Sequence, residues 1–282
     1  MRTMARRVGL VMSVLFGLST GSSAFAESLT IKGSDTMVIL GQRWAEVFMK
    51  KDQSTRVQIT GGGSGTGISA LINGTTDVCQ SSRSMKEKEI ETLHKKYGVD
   101  PTEIPVAKDG LSIYVNASNP LEALTMKQLK DIFTGKVKNW KDVGGPDKKI
   151  VPYSRENSSG TYVFFKEVVL EQADFTPRAQ TLPGTAAVVN AVSKEKNAIG
   201  YGGAGYAKGV KLLKIKKDEK SEAVAPDLEH IVSGTYPLSR PLFFYTRQVP
   251  KDKIKTFIDW VLTPEGQSIV SDVGYFPLAK GS

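Results

Sequence analysis

The sequence predicts an α/β fold. Short runs rich in β-branched and aromatic residues, among them "SLTIKGS", "RVQIT" and "RPLFFYT", alternate with segments whose apolar residues recur at helical spacing. Glycine and hydroxyl residues punctuate the junctions between them. "SLTIKGS" reads as the first strand, and Met37, Leu40, Trp44, Val47 and Phe48 mark an amphipathic helix over 36–51. "RVQIT" is the next strand, "GGGSGTG" a turn, and "ISALING" a short helix ended by Gly74. "TDVCQSS" reads as a third strand and a charged helix follows at 86–97. A second series opens with the strand "KDGLSIYVN" and a helix in "TMKQLKDIFTGKVKNWKDVG" closed by Gly135. It continues with "KIVPYSR", a helix after "NSSGT", and a helix-to-strand run in "TAAVVNAVSKEKNAIGYGG". After the strand "RPLFFYT" come two helical stretches broken at Pro264. Mixed-sign runs such as "KIKKDEK" read as exposed loop or helix face.

Residues 1–26 stand apart. Arg2, Arg6 and Arg7 precede the apolar stretch "VGLVMSVLFGL", and Ala24-Phe25-Ala26 has the small-x-small form of a cleavage site, which together predict a secretory signal peptide. The apolar stretch is shorter than the roughly 20 residues that span a bilayer. No cysteine follows it, which disfavours a lipid anchor. Removing the three arginines takes the formal charge from +9 to +6, suited to an anionic ligand or equally to a solvated lysine-rich surface. Cys79 is the single cysteine, so no internal disulfide is expected, and it reads as a small core hydrophobe. With His94 and His230 the only histidines, neither a metal cluster nor a catalytic triad is supported, and no cofactor is expected.

Three junctions share one plan, in which a strand ends, small hydroxyl or glycine residues follow, and a helix begins: Gly33-Ser34-Asp35-Thr36, Gly61 to Gly67, and Ser158 to Thr161. Helix starts carry unsatisfied N–H groups and the positive end of the macrodipole, which bind anions, although each junction alone is also an ordinary helix cap. Arg155 adds a planar fork that matches phosphate or carboxylate, or else pairs with Glu156 or another acid. "GGGSGTG" lacks the lysine of a Walker A loop, and "GTGISA" fits a dinucleotide fingerprint only formally, without a clear acidic partner.

The motifs "GSDTM", "GGGSGTG", "SSR", "KDGLSIYVN", "NSSGTYVFF", "AIGYGG", "YPLSRPLFFYT" and "WVLTPEGQSIV", in that order, resemble the phosphate-binding proteins of the phosphate-specific ABC transporter. The resemblance covers essentially the whole mature chain. It implies a type II periplasmic binding protein fold: two α/β lobes joined by two crossover strands, lobe one holding 27–110 and 240–282 and lobe two 111–239, closing by a hinge on an anion in the cleft. Also implied are a monomer in the periplasm, inorganic phosphate as ligand, and membrane permease subunits as partners, with no nucleic acid and no catalytic step.

The resemblance assigns ligand contacts to Thr36, the backbone of Met37, and Ser64, with Ser34 and Asp35 beside them. It also assigns Arg155, Ser159, Gly160 and Thr161. One departure stands out: where well-known members carry an aspartate that accepts the phosphate proton, this chain has Ser82, followed by Arg83. Asp35 either replaces that acceptor or caps a helix facing away, and Arg83 either adds a cation or pairs with a surface acid. A receptor for sulfate, molybdate or a phosphonate is the alternative within this class. An exported serine hydrolase using Ser64 or Ser159, without a placed base, and a surface adhesin are the rivals outside it.

Overall fold

The computed structural model describes residues 27–278; the expected signal peptide lies outside them. The elements run β1 (Glu27–Gly33), α1 (Val38–Lys51), β2 (Thr55–Thr60), α2 (Ser64–Asn73), β3 (Val78–Ser81), α3 (Glu87–Tyr97), β4 (Thr102–Val115), β5 (Ala123–Thr125) and α4 (Met126–Phe133). They continue with β6 (Val151–Arg155), α5 (Gly160–Val168), β7 (Gln180–Leu182), α6 (Gly184–Lys194), β8 (Ala198–Gly203), β9 (Lys211–Lys216), α7 (Leu228–Val232), β10 (Ser239–Thr246), α8 (Asp252–Val261) and α9 (Pro264–Val273). Short 3-10 turns occupy Asp35–Met37, Trp140–Val143 and Ala204–Tyr206.

The strands follow the order β2-β1-β3-β10-β4-β8-β6-β7, with β9 against β4 and β5. Neighbours β1, β2 and β3 are parallel, and β10 enters antiparallel between β3 and β4. Long β4 serves both ends of this path: its residues Thr102 to Gly110 pair with β10, and Leu111 to Val115 pair with β8. Two large apolar cores accompany this division. One gathers Leu29, Ile31, Trp44, Ala107, Leu242, Phe244 and Phe257; the other gathers Leu111, Phe133, Trp140, Phe165, Tyr201 and Leu238. The chain therefore passes from one core to the other between Ala107 and Leu111 and between Leu238 and Leu242, and once more between Tyr275 and Phe276, where Phe276 packs back into the second core.

The α/β reading holds, with instructive differences in detail. α2 starts at Ser64, so half of "GGGSGTG" is helix rather than turn. The helix can begin there because Gly63 takes φ +92° at the cap and because Gly67 has no side chain; a Cβ on Gly67 would lie 2.5 Å from Lys32 O. β4 starts at Thr102, before the predicted "KDGLSIYVN", since Pro105 is tolerated where β10 shifts register between Leu242 and Phe243. The first residues of "KIKKDEK" complete β9, where Leu213 and Ile215 are buried and Lys214 is exposed. β5, β7 and α7 are each too short to leave a period in the sequence.

Trp44 is fully buried, donates its indole N–H to Gly266 O at 2.8 Å and meets Phe244 edge-on. It ties α1 to the start of α9, although these lie at opposite ends of the chain. Trp44→Ala is expected to lower the unfolding free energy by about 3–5 kcal/mol, checked by urea denaturation, as large-to-small changes of a buried aromatic do.

Candidate functional site

The three junctions meet at one place. Gly33, at φ +146°, brings β1 so close to β3 that a Cβ there would lie 2.1 Å from Gln80 O. Ser34 N donates to Gln80 O at 2.8 Å and Gln80 Nε2 returns a bond to Ser34 O at 3.0 Å, which fixes the turn that carries Thr36. Gly65 N donates to Ser158 O at 2.8 Å, joining the start of α2 to the loop before α5. Ser159 caps α5 by accepting from Tyr162 N at 3.2 Å.

A buried cluster of hydroxyls results. Thr36 Oγ1 and Thr161 Oγ1 are 2.8 Å apart, and Ser64 Oγ and Ser82 Oγ are 3.3 Å apart. Ser82 N also donates to Ser64 Oγ at 3.1 Å. Gly160 backs directly onto the two serines, since a Cβ there would lie 2.3 Å from Ser64 Oγ and 2.7 Å from Ser82 Oγ. Ser34, Thr36, Ser64, Ser82, Ser159 and Thr161 are all buried. Hydroxyls of this kind donate to an anion without adding charge. Met37 belongs to the Trp44 core, and its N–H is engaged by Ser34 O at 3.0 Å.

Arg155 is buried at the edge of this cluster and meets both kinds of acid that its position suggested. Its Nη2 donates to Asp35 Oδ2 at 2.8 Å, its Nε to Glu156 Oε2 at 3.1 Å and its Nη1 to Thr185 Oγ1 at 2.9 Å. Asp35 Oδ1 accepts from Gly62 N at 2.8 Å, so both oxygens of this carboxylate have partners. Burial alone would raise the Glu156 carboxyl, but the Arg155 hydrogen bond and charge outweigh it and hold the group below the usual carboxylate range. Tyr206 donates to Asp35 O and Tyr275 to Thr36 O, at 2.7 and 2.6 Å. Burial pushes the Tyr206 phenol up to about 12, so it stays a donor. Arg83 is turned to α3, where its guanidinium holds Glu89 at 2.7 and 2.8 Å.

Two charged residues missing from the sequence reading border the cluster. Arg240 and Asp109 form a buried pair at 2.8 Å. Arg240 Nη2 reaches Thr161 Oγ1 at 3.0 Å and Nη1 reaches Ser82 O at 3.2 Å. The available signal was a charged residue, Asp109 or Arg240, beside the apolar run of each of two strands, "KDGLSIYV" and "SRPLFFYT", since such charges are buried only when paired.

The histidines stand elsewhere: His94 is bonded to Asp100 and His230 to Asp227. Cys79 is buried, and burial pushes its thiol up, away from the reactive thiolate. Among the described residues no group of His, Cys, Asp and Glu could hold a metal ion, and no helix is long and apolar enough to cross a membrane.

Residues 18–265 match the model of the PBP superfamily domain. The chain is 37% identical to the phosphate-binding protein PstS of Pseudomonas aeruginosa over 274 residues, covering 91% of this chain and 85% of that protein. It is also 37% identical to PstS of Staphylococcus epidermidis, covering 88% and 78%. Among solved structures it superposes on a putative phosphate ABC transporter substrate-binding protein of Clostridium perfringens with bound phosphate (TM-score 0.81, 31% identity, 90% of this chain and 100% of that one). An ABC-type phosphate transport receptor of Vibrio cholerae is a further match (TM-score 0.71, 30% identity, 89% and 100%). With its sheet order, its two cores and its cleft of helix starts, the chain belongs to the PBP superfamily and, within it, to the family of the phosphate-binding protein PstS.

Proposed function

We propose that this protein captures inorganic phosphate outside the cytoplasm and hands it to the permease subunits of an ABC importer, with no catalytic step. The observation that carries the reading is the convergence of Thr36, Ser64, Ser82, Thr161 and the Gly160 backbone beside a buried arginine. Such a site binds a tetrahedral oxyanion through many hydrogen bonds and little net charge. The names of the relatives support phosphate as that anion. Export through residues 1–26 into a periplasm, a monomeric state and the permease partner belong to the same proposal.

The lobes are taken as 27–110 with 240–282, and 111–239, a division supported by the two cores and the crossings at 107–111 and 238–242, with Phe276 reaching from the first lobe into the second core. On that division the site draws on both lobes: Thr36, Ser64, Ser82 and Asp35 come from one, and Arg155, Ser159, Gly160 and Thr161 from the other. Asp35 belongs to the set as the residue that holds Arg155, Ser34 as the anchor of the Thr36 turn, and Met37 as part of that turn. Arg83, committed to Glu89, is left out of the set.

The alternative, a receptor for another oxyanion such as sulfate, rests on Ser82 being neutral while both Asp35 oxygens have partners. A fixed carboxylate would repel sulfate, which has no proton to share, and a serine does not. Calorimetric titration of the stripped mature protein with phosphate at pH 6 and pH 8, with sulfate competing, separates the two. Tight phosphate binding that sulfate fails to displace is the expected result, and a preference for sulfate rejects phosphate as the ligand.

Arg155→Ala and Thr161→Val are each expected to weaken phosphate binding roughly 10- to 100-fold, the effect of removing a charge-assisted or buried hydrogen bond, with the protein still folded by circular dichroism. Unchanged affinity in both variants removes this site. Gly160→Ala tests closure separately. The added methyl would press on Ser64 and Ser82, so affinity is expected to fall at least about tenfold in the same titration.

A further inference from the structure

Arg240 has no evident structural need to be charged. A buried ion pair is replaceable by apolar residues of similar volume with little loss of stability, so Arg240 and Asp109 call for another explanation. The geometry supplies one. Asp109 Oδ2 accepts from Nε at 3.0 Å and from Nη2 at 2.8 Å, and Asp109 Oδ1 accepts from Ala204 N at 3.1 Å, so the carboxylate is satisfied and the fork is aimed. The remaining Nη2 hydrogen points to Thr161 Oγ1, the hydroxyl that faces Thr36 across the cleft. One Nη1 hydrogen goes to Ser82 O. A guanidinium carries five N–H donors, and among the described residues the fifth, on Nη1 beside Ser82, has no acceptor.

The outer face of the same guanidinium lies 5.2 Å from the Phe164 ring centre, at the floor of a groove of about 350 Å³ that also includes Ser82, Pro241 and Phe243. Phe164 thus packs against the cation while two of its nitrogens reach Thr161 and Ser82. Charge balance points the same way. Asp35, Glu156 and Asp109 bring three carboxylates close to the site, against Arg155 and Arg240. With Arg155 alone, an entering dianion would meet three negative charges and a single cation.

We propose that Arg240 is a second cationic contact for the bound anion, with Asp109 as the residue that positions it; this rests on reading the site as an oxyanion receptor. Arg240 donates from Nη1 to an anion oxygen beside Ser82. Its Nη2 bond into a Thr161 lone pair leaves the Thr161 proton free to point at the anion, so the arginine acts both directly and through the hydroxyl it orients.

The test uses the full mature protein and the double variant Arg240→Gln with Asp109→Asn, which removes the pair without leaving a buried carboxylate alone and without changing net charge. Inorganic phosphate is titrated at pH 6 and pH 8, where the monoanion and the dianion dominate in turn. The double variant is expected to bind roughly 10- to 100-fold more weakly, with a larger loss at pH 8 than at pH 6. A role confined to holding the crossover strands would weaken both forms equally, and the pH comparison within one variant reads this even if its thermal midpoint falls. Wild-type affinity in the double variant, or an equal loss at both pH values, overturns the proposal. Failure of the unmodified protein to bind phosphate or any competing oxyanion would instead overturn the receptor reading, and this inference with it.

Discussion

A guanidinium is kept out of water only where carboxylates and hydroxyls meet it, and Arg155 finds part of that company in the other half of the sheet. Glu156 is its sequence neighbour, but Asp35 comes from the turn that ends β1. Much of the site hangs on that bridge. Asp35 turns its second oxygen to Gly62, which orients the glycine-rich start of α2, and α2 presents Ser64 to Ser82. Glu156 in turn accepts from Gly184 N at the start of α6, and α6 supplies Thr185 to Arg155. Few free charges remain here, because Arg155 and Arg240 are each already matched by an acid.

On the proposed reading, neutral hydroxyls then carry the recognition. Thr36 and Thr161 bond to each other across the junction of the two halves, and either oxygen can donate. An anion that enters between them replaces a weak neutral bond with two charge-assisted ones, so the exchange favours closure around the ligand. The backbone also joins the two halves, through the Gly65 N–H bond to Ser158 O.

Much of this was legible in the sequence. Alternating strands and amphipathic helices announced the class, and the glycine and hydroxyl junctions announced where polar groups would collect. What stayed hidden has physical reasons. β5 and β7 are three residues each, too short for alternation to show. Pro105 obscured the first part of β4 because a register shift in a distant strand is what accommodates it. Arg240 and Asp109 are far apart in the chain, and although a charge beside an apolar strand signals a buried pair, nothing local names its partner. The fate of Arg83 was likewise open until α3 was seen to bring Glu89 to it. Short-range pattern determines the elements, whereas the site also joins distant partners, Asp35 with Arg155 and Thr36 with Thr161, 120 and 125 residues apart.

The position of β10 has one more consequence. The strand that sits between β3 and β4 is the last strand of the chain to be made, and α8 and α9, which complete the Trp44 core, follow it. The first half of the sheet therefore has an open edge and half a core until nearly the whole polypeptide is available. Pairings this distant in sequence form late and slowly. On the export route proposed above, that delay favours a chain that must cross a membrane before it folds, because its own topology postpones the completed sheet until the C-terminal helices have arrived.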